Sequence, residues 1–156
     1  MTTKENIKFI KLPENFKADL GSFTIDPSIE LPILLEEGRD KVEDKDLTVE
    51  NIVAGMISVI AHHPDNPNFS YYKSFVLASD PHIVEKLNQA AIAKEQRKEF
   101  EFAEELFLAV YHLLPQNASC VNLATLYSYL AVEARSKGED EKVWIKKVRS
   151  TLEDGI

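Results

Sequence analysis

Residues 84–117 read VEKLNQAAIAKEQRKEFEFAEELFLAVYHLLPQN, and how this stretch folds decides the rest. Just upstream, Asp80-Pro81 offers an N-cap followed by proline at the first helical position, where a missing N–H costs nothing. From there HIVEKLNQAAIAKEQRK carries Leu87 and Ala91 at helical spacing. A break near Glu99 opens a second helix, FEFAEELFLAVYHLL. Pro115 stops it, because proline disfavours helical backbone in the residue before it. Phe100, Phe102, Leu106, Phe107, Val110 and Leu113 are its large apolar residues, and they are expected to pack rather than to recognise a ligand.

Working outward, the helical period holds over most of the chain. Ser28 can cap a helix that runs to about Glu43, with Pro32 tolerated in its first turn. Next comes KDLTVENIVAGMISVIAHH. Thr48 is its N-cap, and Val49, Ile52, Val53, Met56, Ile57 and Ile60 form an apolar stripe that ends at Pro64. FSYYKSFVLAS makes a short helix after the PDNPN turn. On the other side, Asn117 or Ser119 starts a long helix through Ser136, closed by Gly138 in the C-cap manner. EDEKVWIKKVRSTL is the last helix, with a polar outer face. The count comes to about seven helices with short loops, and no strand run follows Ile25. Residues 1–27 differ. Ile7 and Phe9 alternate, as do Phe23 and Ile25, which predicts short extended pieces. Phe16 and Leu20 are spaced for one helical turn. The reading is an N-terminal arm, residues 1–27, packed on a helical domain, residues 28–156.

VIAHHPDN and AVYHLLPQN close two helices in the same way, and such recurrence points to a repeat. Residues 84–117 resemble one tetratricopeptide repeat. Leu87 and Ala91 match the large and small positions of its first helix, Phe100 the aromatic at the turn. Ala103, Phe107 and Pro115 match the second helix and its stop. Lys98 stands where the family has glycine, Lys94 where it has tyrosine, and Val110 where alanine is usual. Residues 33–66 and 118–152 echo the pattern more loosely, and the short helix near 69–78 falls outside the two-helix period. The resemblance implies an all-α fold of stacked antiparallel helical hairpins, a TPR-like α-solenoid, in which neighbouring pairs bury each other's apolar stripes. It also implies a concave face that binds an extended peptide. Asn88, Ile92 and Glu95 would line it from the best-matched repeat, and Asn122 and Tyr129 from the next. The two asparagines suit a peptide backbone. Glu95 has the wrong sign to capture a carboxylate and favours a neutral or basic segment.

Bulk composition narrows the partners. The chain has 156 residues, the size of one domain, 44% of them hydrophobic and 28% charged. Its net charge of −8 repels a phosphate backbone, so no nucleic acid is expected. Cys120 is the only cysteine, which rules out an intrachain disulfide and fits a reducing compartment. IVAGMISVIA is too short to span a bilayer, and MTTKENIKFIKL lacks an apolar signal core. The expectation is a cytoplasmic protein without membrane or cofactor, monomeric or weakly self-associating.

The most enzyme-like phrase is His62-His63-Pro64-Asp65. Adjacent histidines on a helix point about 100° apart, so they cannot converge on one ion as an i, i+4 pair does. Imidazoles at a helix C-terminus also meet the negative end of its dipole favourably. We therefore expect a protein–protein interaction module or adaptor, with no catalysis. The alternatives are a helical metal-dependent enzyme using His62, His63 and Asp65, with His112 brought in from elsewhere, and a self-assembling structural protein.

Overall fold

The structure, a computed structural model, describes residues 6–154. Among the described residues there are six α-helices and one two-stranded sheet, and the chain divides into two compact units, residues 1–86 and 87–156.

The first unit opens with β1 (Ile7–Ile10), the extended piece that the alternation of Ile7 and Phe9 predicts. Its partner is β2 (Leu31–Leu34), antiparallel, with Ile7 opposite Leu34 and Phe9 opposite Pro32. The helix expected over Ser28–Glu43 is therefore corrected to a strand and loops. Leu31, Pro32 and Ile33 are all buried, and it is the ladder with β1 that makes the segment a strand. Pro32 is compatible with it. Leu35 N–H donates to the Asn6 carbonyl at 2.8 Å, and hydrogen-bonded pairs alternate along an antiparallel ladder. The Phe9–Pro32 pair thus falls where no N–H is required. Residues 11–30 form turns and irregular backbone, so neither the helical turn at Phe16 and Leu20 nor a strand at Phe23 and Ile25 is present.

Two helices complete this unit. Thr48 caps α1 (Val49–His62) through its hydroxyl, which accepts from Asn51 N–H at 3.1 Å. Ile52, Met56, Val59 and Ile60 are buried, and so is Gly55. A Cβ on Gly55 would lie 2.6 Å from the Pro32 carbonyl oxygen, so helix and strand approach backbone to backbone. Before α1, a 3₁₀ turn at Asp44–Asp46 is locked by Arg39, whose two terminal nitrogens donate to both Asp46 oxygens at 2.6 and 2.7 Å. Those bonds, and then the Glu43 N–H, pull the Asp46 carboxyl down to about 2.

The short helix α2 (Phe69–Ser79), which no repeat accommodates, holds the arm. Tyr72 donates its hydroxyl to the Glu30 carbonyl at 2.7 Å, and Asp26 N–H donates to the Tyr71 hydroxyl at 2.9 Å. Phe23 packs its ring against Tyr71 and Phe75, with centroids 5.3 and 5.7 Å apart. The N-terminal segment is a strap on α2 rather than a tail.

The second unit is helical throughout. It holds most of α3 (Ile83–Gln96), then α4 (Phe100–Leu113), α5 (Asn117–Ser136) and α6 (Lys142–Asp154). Ala91, Ala103, Phe107, Leu123, Leu126 and Tyr127 form its buried cluster, with Phe100, Leu106 and Trp144 packed on the edge. Ala91 of α3 and Ala103 of α4 are fully buried in this cluster together with the Phe107 ring. Cys120 is buried in α5. No helix among the described residues is long and apolar enough to cross a membrane.

Candidate functional site

Helix α3 carries Asn88, Ile92 and Glu95 at spacings of four and three, which puts them on one face. Its end is a Schellman motif. Lys98 N–H donates to the Glu95 carbonyl at 3.0 Å and Glu99 N–H to the Lys94 carbonyl at 2.9 Å. This requires left-handed backbone at Lys98, where φ is 62°. The motif ends α3, and α4 begins at Phe100.

Ile92, Glu95, Gln96 and Lys98 meet Tyr129 of α5 around a cleft of about 280 Å³. Three of the five residues expected to line a groove thus share one concavity. Asn88 and Asn122 are half-buried on the same two helices and are not among its lining residues. The Asn88 side-chain oxygen is buried without a hydrogen-bond partner. Gln96 and Lys98 belong to the cleft although the family pattern does not single them out. The legible signal for Gln96 was its place one turn beyond Ile92.

The cleft combines apolar surface with one acidic side chain, Glu95, and one basic one, Lys98. Ile92 is 45% exposed and Tyr129 40% exposed. Burial pushes the Glu95 carboxyl up from its ordinary range. Lys94, its neighbour in sequence, is committed elsewhere. It pairs with Glu99 at 2.8 Å and lies 5.1 Å from the Phe102 ring centroid. Tyr129 is fixed from two sides. Its ring sits 5.4 Å from that of Phe100, and its hydroxyl donates to a Glu133 oxygen at 3.1 Å. The hydrogen bond to Glu133, burial and the charges of Glu133 and Glu95 all raise its pKa.

The histidine phrase sits at the end of α1. His62 is the last helical residue. His63 follows as the cap, its N–H donating to the Val59 carbonyl at 2.7 Å. Asn66 N–H then closes the turn on the His63 carbonyl at 3.0 Å, leaving Asp65 exposed. Among the described residues, no three His, Cys, Asp or Glu side chains gather as a metal ion would need. No family model, curated protein or solved structure matches this chain.

Proposed function

We propose that the chain is a protein–protein interaction module that holds a neutral or basic peptide segment in the cleft between α3 and α5. The carrying observation is the cleft itself. Exposed Ile92 and Tyr129 flank the half-buried Glu95 carboxylate, a pairing suited to a large apolar side chain next to lysine or arginine. Three features support a tetratricopeptide-like reading of the second unit. Ala91 and Ala103 are fully buried, Phe107 joins them in one cluster, and Lys98 takes left-handed backbone where the family keeps glycine.

The test is selection from a random peptide library displayed on phage. The expected result is enrichment of sequences with a basic residue beside a bulky apolar one. Binding of a selected peptide should weaken about tenfold or more in Ile92→Asp and in Tyr129→Ala, as for removal of a central interface anchor. Val143→Asp, on exposed α6 surface, should leave it unchanged. A library that yields no consensus, or a consensus indifferent to both cleft variants, overturns the proposal.

A further inference from the structure

A second concavity, of about 330 Å³, opens among α4, α5 and α6. Its base is apolar. Leu123 and Tyr127 are buried there, and Leu108 is half-buried beside them. Its mouth carries exposed Lys146 and Ser150, one helical turn apart on α6, with His112 of α4 on the rim. No lining residue is acidic, in a chain whose net charge is −8.

The cations here have distinct roles. Lys147 is held in place, with its ammonium 3.3 Å from a Glu104 oxygen, 5.2 Å from the Tyr127 ring centroid and 4.9 Å from that of Trp144. Glu104 thus offsets the Lys147 charge. Lys146 enters no ion pair among the described residues, so it supplies the net positive charge at the mouth. An apolar floor below a cation and a hydroxyl donor is chemistry for a ligand with two ends.

We propose that this cleft binds a small amphipathic anion, a carboxylate carried on an apolar body. The body lies on Leu108, Leu123 and the Tyr127 ring. The carboxylate sits between the Lys146 ammonium and the Ser150 hydroxyl, within reach of His112. At about 30 Å³ for each water-sized unit, the space admits a body and head of roughly ten heavy atoms. This site is independent of the α3–α5 cleft.

The protein carries its own reporter, since Trp144 is the only tryptophan and its ring stacks on Tyr127 at 6.2 Å. The experiment titrates octanoate against Trp144 fluorescence, with octan-1-ol and octylammonium as neutral and cationic controls. Backbone amide shifts of residues 108–112 and 146–151 locate the binding. The expected result is a saturable change with octanoate, weaker by about tenfold or more for both controls. Lys146→Gln should lose about tenfold and Ser150→Ala a few-fold, the sizes expected for one charged and one neutral hydrogen bond. Both residues are exposed, so thermal melts of these variants should match the parent. Equal binding of octanol, indifference to Lys146→Gln, shifts elsewhere in the chain, or no saturation in the millimolar range would each overturn the assignment.

Discussion

Residues 6–86 hold together by contacts between distant parts of the chain, whereas residues 87–154 hold together helix against following helix. In the first unit β1 pairs with β2 across a long excursion, and the bonds from Asp26 to Tyr71 and from Tyr72 to Glu30 join residues 45 and 42 positions apart. In the second, α5 packs against α6 and α4 against α5, around a shared cluster of Phe107, Leu123, Leu126 and Tyr127. The difference teaches where stability is concentrated. The helical unit depends on large side chains filling a shared core. The strapped unit depends on one close backbone approach and on hydrogen bonds at the ends of aromatic residues.

The largest effect is expected in the helical core. Phe107→Ala should cost about 3–5 kcal/mol, the range for truncating a buried aromatic. Urea unfolding followed by Trp144 fluorescence reads this unit directly, since Trp144 packs on the same cluster. A loss under about 1 kcal/mol would mean that the cluster is not the unit's main core, and the contrast with the strapped unit would fail.

Gly55→Ala comes next and probes the other side of the comparison. The new methyl would meet the Pro32 carbonyl at 2.6 Å, and backbone cannot step aside as a side-chain end can. Helix and strand must separate, at a cost of about 1–3 kcal/mol for overpacking. In an exposed helix interior the same change would stabilise by about 0.5–1 kcal/mol, so the sign of the thermal shift alone decides the matter. A smaller effect, about 1 kcal/mol, is expected for Tyr72→Phe, which removes the hydroxyl bond to Glu30 and leaves the ring. Limited proteolysis within residues 11–30 should quicken in this variant. Unchanged cleavage would show that the strap is held by ring packing alone.

The same contrast explains what could be read in advance. The helices of the second unit were legible because their cause is local. Asp80-Pro81, Pro115 and Gly138 mark boundaries, and Leu87, Ala91, Ala103 and Phe107 repeat at helical intervals. Three cleft residues, Ile92, Glu95 and Tyr129, were reachable by the same periodicity plus the repeat resemblance. Gln96 was legible one turn beyond Ile92, but Lys98 was not, because the path of the chain after α3 decides what faces Tyr129. In the first unit β2 was misread because Ser28 and Pro32 imitate a helix start. What makes Leu31–Leu34 a strand is β1, some two dozen residues earlier, and Gly55, two dozen later; no window of one helical length contains either. The second concavity lay hidden for a similar reason. Lys146 and Ser150 share a helix face, but Leu108 and Leu123 reach it from two other helices.

The finest test stays inside the helical unit and compares two of its helix ends. After α5, Gly138 takes φ 73°, with its N–H on the Arg135 carbonyl at 3.1 Å and the Glu139 N–H on the Ala134 carbonyl at 2.8 Å. After α3, Lys98 makes the same two bonds at φ 62°. The motifs match, but only one carries the residue that tolerates this backbone. A side chain in the left-handed region costs about 1–2 kcal/mol, and glycine returns part of that through the greater freedom of the unfolded chain. Lys98→Gly should therefore stabilise by about 0.5–1 kcal/mol and Gly138→Ala destabilise by a similar amount. Paired urea titrations would read both. Lys98 also lines the cleft proposed to hold a peptide, and strained backbone is tolerated where a side chain is needed at that spot. If Lys98→Gly stabilises the fold and changes the affinity of a selected peptide, the strain is kept for the cleft. If stability rises while affinity stays the same, Lys98 is a boundary residue only, and the cleft ends at Gln96.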